Sequence, residues 1–239
     1  MTGPNDFKLL VNDLRFKNDS AKYVDDITVS SVSTDPYDRS LQSAANHSLV
    51  WSADHGMYIN EIKTKELLIH FNKKTDRNSI PGITVNGKTI ERVETFKLLG
   101  IMISSDLSWD AHVTYMLNKV GKRMFCIHYL ARAGISEADI VHVYCSIIRS
   151  VLEYACPVWH PGLTKAQSKE IERVQKRCLR VIYPSLTYSE ALNISGLETL
   201  TTRRDDITCK LFCEIKDEDH VLHSLLPKRE LKSIAIRNS

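Results

Sequence analysis

The chain has 239 residues, 43% of them hydrophobic and 26% charged, which is enough apolar material for one large or two small folded domains and too much for a disordered polypeptide. A net charge of +3 and an isoelectric point of about 8.5 neither demand nor exclude a nucleic-acid partner, so local charge placement has to decide. Six scattered cysteines, no leader-like start and no apolar run near the ~20 residues of a membrane helix predict an intracellular protein, nuclear or cytoplasmic, not secreted, with reduced thiols and no membrane partner.

The first elements read as strands. From Lys22 to Val32, KYVDDITVSSV sets aromatic and β-branched residues on either side of an Asp pair, the pattern of a hairpin with carboxylates at its turn. Asp35-Pro36 predicts an N-cap and first-turn proline for a helix with Leu41, Ala44, Ala45 and Leu49 on one face and Gly56 as its stop. Strand character returns over 57–103: Glu66 to Phe71, Ile83-Thr84-Val85 turning at Asn86-Gly87, and Phe96 to Ile103.

After Ser108 the period becomes helical. Val113, Met116, Leu117, Val120, Met124 and Ile127 form one stripe ending near Gly134. Ser136 opens a second helix that Pro157 breaks, and the capping boxes Thr164 to Gln167 and Thr187 to Glu190 open a third, to about Ile182, and a short fourth. A last helix spans about Thr199 to Lys216. The predicted fold class is α+β, an antiparallel sheet with a packed helix followed by an all-helical bundle. The expected division is 1–105, 106–185 and 186–239, the last closing in a basic tail over 228–239.

Asp25 and Asp26 carry the strongest chemical signal, because adjacent acids at a turn repel unless a cation neutralises them. Hard carboxylate oxygens suit Mg²⁺ or Mn²⁺, although two Asp at a turn are more often simply solvated. In the third helix, Lys165, Lys169, Arg173, Lys176, Arg177 and Arg180 fall within about a third of the circumference at 100° per residue, opposite an apolar face. Cys209, Cys213, His220 and His223 have spacings that depart from a zinc knuckle, and core cysteines with surface histidines are the better reading.

Several strings, in this order, resemble the C-terminal half of non-LTR (LINE-type) retrotransposon reverse transcriptases. Gly3-Pro4, Phe7, Asn12-Asp13-Leu14 and KYVDD are similar to the segment entering the catalytic palm hairpin. Trp51, Asn60 and Lys63-Thr64 resemble the next palm motif, and Phe96-Lys97-Leu98-Leu99-Gly100 resembles the primer grip. Leu107 to His112, Leu152-Glu153-Tyr154 with Trp159, Glu172 to Arg177, and Leu200 with Arg203-Arg204 look like the region after the palm.

The resemblance implies a partial palm followed by a thumb-like helical region that binds an RNA or DNA template-primer duplex. It also implies that Asp25 and Asp26 hold catalytic Mg²⁺ or Mn²⁺, that Lys63 acts as a general acid toward pyrophosphate, and that Phe96, Leu98, Leu99 and Gly100 grip the primer. The basic helix face would follow the duplex backbone. The family's third metal-binding Asp, its fingers and its Gln-Gly motif would precede Met1. The expectation is therefore a polymerase segment inactive by itself, with deoxynucleotides bound only in a longer context. A rival is a non-catalytic nucleic-acid-binding remnant. A stretch from about Glu91 to Arg132 also resembles an N-terminal segment of AlkB-homologue tRNA-modifying proteins, but no histidine begins the His-x-Asp or His-x-Glu pair that such iron chemistry needs.

Overall fold

The computed structural model of the chain describes residues 11–24, 26–71 and 76–226. Asp25, the strings Gly3-Pro4 and Phe7, and the 228–239 tail lie outside the described residues. The chain divides into two units between Ser108 and Trp109.

The first unit is built from short strands. β1 (Asp19–Tyr23) pairs antiparallel with β2 (Asp26–Ser30), with Tyr23 opposite Asp26, and Val24 takes a left-handed φ of 57° in the connection. α1 (Ser40–Asp54) follows. It starts later than Asp35-Pro36 predicts, because Asp35 Oδ1 closes a separate turn by accepting from the Tyr37 N–H, and Asp38 meets the Ser40 N–H at the helix entrance. Gly56, at a φ of 64°, ends the helix as expected.

Where the pattern predicts one antiparallel sheet, the described residues form four two-stranded pieces. β3 (Lys65–Leu67) pairs in parallel with β6 (Glu91–Val93), and between them in sequence lies the hairpin of β4 (Thr84–Val85) and β5 (Lys88–Thr89). Asn86 and Gly87 take φ values of 50° and 74°, the left-handed pair of a tight hairpin turn. β7 (Thr95–Leu98) and β8 (Ile101–Ser104) form the last hairpin, with Leu99 and Gly100 both at positive φ. α1 packs on β2 and β4.

The second unit is helical. α2 (Asp110–Gly121) and α3 (Met124–Arg132) replace the single long helix expected there. The apolar stripe continues across the break, with Met116, Val120, Met124 and Ile127 all buried, so periodicity alone does not reveal it. α4 (Glu137–Val143), capped by Ser136, runs through a π-helical turn over Tyr144–Arg149 into α5 (Ser150–Leu152), and Arg123 Nη1 donates to the Ile147 carbonyl within that turn at 2.6 Å. α6 (Cys156–Trp159) carries Pro157 in its first turn, preceded by Ala155 at a φ of 49°.

α7 (Lys165–Ile182) and α8 (Tyr188–Ser195) begin at full capping boxes on Thr164 with Gln167 and on Thr187 with Glu190, and α9 (Leu200–Ile215) is capped by Thr199. One apolar core runs from Val113 through Tyr144, Ile148, Leu152, Trp159, Ile171 and Leu179 to Leu200. The architecture is a mixed α+β chain of small open sheets and a helical bundle.

Candidate nucleic-acid interface and carboxylate hairpin

The hairpin is anchored near its tip by a lysine, Lys22, which lies opposite Ile27. Lys22 Nζ donates to the Val11 carbonyl at 2.8 Å and to that of Leu14, tying β1 to the turn before it. Burial, and then nearby Arg15, pull this ammonium below its ordinary pKa, while Asp13 opposes them. Asp13 in turn accepts from Trp51 Nε1 at 3.2 Å and meets His55 Nε2 at 3.6 Å, and the Trp51 and His55 rings stack at 4.4 Å. Asp13 and Trp51 stand in the family-like strings; His55, the C-cap residue of α1 one turn after Trp51, carries no local signal that would pair it with Asp13.

Asp26 is exposed at the start of β2, directly across the ladder from Tyr23. Among the described residues no group of three His, Cys, Asp or Glu gathers as a metal site, and this includes Cys209, Cys213, His220 and His223. Lys63 is exposed in a turn that Asn60 closes, with Asn60 Oδ1 accepting from the Lys63 N–H at 3.0 Å and the Asn60 carbonyl accepting from Thr64 Oγ1 at 2.8 Å. That turn is held to the β4–β5 hairpin by Glu61, which accepts from Asn86 Nδ2 at 2.7 Å and Lys88 Nζ at 2.8 Å. No hydrogen bond or ion pair among the described residues joins Lys63 to Asp26. Phe96 and Leu98 are half-buried on one face of β7, and Leu99 and Gly100 make the tight turn after it.

On α7 the six predicted cations are all exposed, while Gln167, Ile171, Val174, Gln175, Cys178, Leu179 and Ile182 are buried on the other side. None of the six makes an ion pair among the described residues; Lys176 leans over the Tyr188 ring at 4.9 Å. A helix face of uncompensated cations with a firmly packed back is suited to an extended polyanion.

The motif strings of the second unit meet behind that face in a polar network. Tyr144 donates to Gln175 Oε1 at 2.6 Å, Gln175 Nε2 donates to Tyr188 and to the Glu198 carbonyl, and Tyr188 donates to Glu172. Burial drives the Tyr144 hydroxyl far above its ordinary pKa, so it remains a donor at every physiological pH. Glu153 takes a two-point contact from Arg203, at 2.6 and 3.2 Å. Arg204, fully buried, donates to His160 Nδ1 and Ser168 Oγ and lies over Trp159. Gln167 Nε2 donates to Asp110 Oδ1 at 2.6 Å, and Gly162 leaves room for the Trp109 indole, which a Cβ would approach to 2.4 Å. Two acids flank the cation stripe: the Glu172 carboxyl turns into this network, and Glu170 is exposed beside the stripe.

The chain is 26% identical over 182 residues to the RNA-directed DNA polymerase from mobile element jockey of Drosophila funebris, and 26% identical over 179 residues to that of Drosophila melanogaster. Each match takes 73% of this chain and 19% of the relative. The chain is distantly similar to LINE-type jockey reverse transcriptases. It spans about a fifth of the length of these jockey polymerases, 19% in each case. No family model matches, and no solved structure matches. No described helix is long and apolar enough to cross a membrane.

Proposed function

We propose that this chain is a segment of a retrotransposon reverse transcriptase, the end of a palm and a thumb, that binds template-primer duplex through α7. The observation that carries the reading is the exposed six-cation face of α7, unpaired among the described residues and backed by a core that fixes its orientation. Such a face gains affinity by displacing counterions from phosphates and does not read bases. The jockey similarity supplies the kind of enzyme in which such a duplex would be a substrate.

In this reading Asp25 and Asp26 are two of the carboxylates of a Mg²⁺ or Mn²⁺ site. Asp26 fits as an exposed hard-oxygen donor, and the resemblance to reverse transcriptases assigns the further carboxylate of such a site to a preceding palm strand. Bound metal would activate a 3′-hydroxyl and stabilise departing pyrophosphate. Lys63, free to extend from its closed turn, is assigned to protonate that leaving group, and Phe96, Leu98, Leu99 and Gly100 to the primer strand. Deoxynucleotides would bind only in a longer polypeptide, and this chain alone is expected not to extend a primer.

The test is a titration of a blunt duplex at several salt concentrations. Neutralising Lys169, Arg173 and Lys176 together should lower the slope of log affinity against log salt by roughly two to three units. An unchanged slope would return the face to ordinary solvated surface.

A further inference from the structure

From Asp110 to Glu137 the sequence contains no acidic residue, while Lys119, Lys122, Arg123 and Arg132 fall between them. Lys119, Lys122 and Arg132 are exposed; Arg123 is half-buried and engaged with the Ile147 carbonyl. Within this acid-free stretch α3 presents two large aromatic rings to solvent, Phe125 at 70% exposure and Tyr129 at 64%. Their centroids lie 6.1 Å apart with the planes inclined by 31°.

These rings are not required by the fold. α3 buries Met124 and Ile127 and packs Leu130 and Ala131 on the core, which completes its inward face. Phe125, Tyr129 and Arg132 lie on the outward side within about 60° of helical circumference at 100° per residue. Neighbouring exposed aromatic planes, flanked along the sequence by cations and by no acid until Glu137, suit a partner that is both anionic and planar. α7 has the opposite makeup, with six cations and no aromatic residue between Lys165 and Ile182. A cation face alone follows a paired backbone, where bases are hidden; exposed rings gain energy only from bases that are unstacked.

We propose that the outer face of α3 is a binding platform for single-stranded nucleic acid, with Phe125 and Tyr129 stacking on unpaired bases and Lys122 and Arg132 contacting the phosphates. The proposal rests on the nucleic-acid reading above and assigns the unpaired strand to a different helix from the duplex. Bases are read weakly by such a platform, because each presents a π-face, so binding should tolerate sequence and depend on strandedness.

The experiment uses the full chain, a labelled oligo-dT strand and a blunt duplex of equal length, followed by fluorescence anisotropy. Phe125→Ala with Tyr129→Ala should weaken oligo-dT binding by at least about ten-fold and change duplex binding by less than about two-fold. Phe125→Leu with Tyr129→Leu keeps apolar bulk without a π-face and should lose oligo-dT binding similarly, whereas Phe125→Tyr with Tyr129→Phe should retain it. Lys122→Gln with Arg132→Gln should lower the salt slope for the single strand by roughly one unit. Unchanged oligo-dT affinity in the alanine pair overturns the platform. So does full affinity in the leucine pair, which would mark an apolar protein-docking face, or an equal loss of single strand and duplex. A failed α7 triple variant with intact α3 effects would instead sink the duplex assignment alone.

Discussion

The two units of this chain are held together by different forces. In the second, helices of up to 18 residues give over a continuous stripe to one core, and Trp159, Tyr144, Ile148, Leu152 and Ile171 lose all contact with solvent. In the first, strands of two to five residues are too short to build such a stripe, and Tyr58, Ile62 and Phe71 stay 96%, 84% and 79% exposed. Charged staples supplement a small set of buried apolar residues, among them Val11, Leu14 and Val85. Arg92 makes a two-point contact with Glu66, at 3.0 and 3.1 Å, and donates to the carbonyls of Arg77, Ile80 and Pro81. Arg77 reaches Glu94, Ser105 and the Leu68 carbonyl. Apolar burial scales with contiguous area, whereas a few directional bonds can fix a small, open structure.

The contrast can be broken most directly at Trp159. Trp159→Ala should cost the second unit about 3–5 kcal/mol, seen as a lower midpoint of helix unfolding by circular dichroism. With Trp109→Phe added, Trp51 is the remaining tryptophan and should keep its emission through that transition. A simultaneous loss of both signals would show a single cooperative molecule. Arg92→Leu should act in the reverse direction, costing the first unit on the order of 2 kcal/mol by stranding Glu66 and freeing three carbonyls. Trp51 emission should then change at lower urea while helix unfolding stays in place. Gly162→Ala should displace the Trp109 indole and cost about 1 kcal/mol, with a shift in indole emission as the marker.

Acid sharpens the same contrast by sign. Hydrogen bonds from Lys88 and Asn86 to Glu61, and from Ser105 and Arg77 to Glu94, hold both carboxyls below their ordinary value of 4.5. A depressed folded pKa gives stability that is complete above 4.5 and lost as pH falls through the folded value, so the first unit should loosen below about pH 4.5. In the second unit, burial makes His112 harder to protonate than its ordinary 6.5. Its contribution is complete above 6.5 and declines below it, so a slight fall in the helix melting midpoint should begin there, well before Trp51 responds. A Trp51 response that begins at higher pH than the fall in the helix midpoint would contradict this ordering.

How much of this was legible followed the range of the interactions. Helix ends written in three-residue signals were readable, as at Thr164 with Gln167, Thr187 with Glu190, and Thr199. The Asn86-Gly87 hairpin was readable for the same reason. The pairing of β3 with β6 was not, because a parallel partner across two dozen residues leaves no local mark. Nor was the break between α2 and α3, where the apolar stripe passes through unchanged. At the candidate site, periodicity placed the α7 cations on one side, and the solvent exposure of all six agrees with it. The contact of His55 with Asp13, and the inward turn of Glu172, depend on residues brought together only by tertiary packing.

One side chain in the first unit has a role that helices seldom supply. Gln42 on α1 gives its amide N–H to the Thr84 carbonyl at 2.9 Å and takes the Thr84 N–H on its Oε1 at 2.8 Å, reproducing what a neighbouring peptide group would offer β4. A strand whose hydrogen-bonding groups are already engaged cannot recruit a second copy of the chain, so this glutamine acts as a guard against edge-to-edge aggregation. Glutamate would keep the acceptor and lose the donor, leaving half of the edge available. Gln42→Glu is therefore expected to lower the concentration at which the chain self-associates, as light scattering would show.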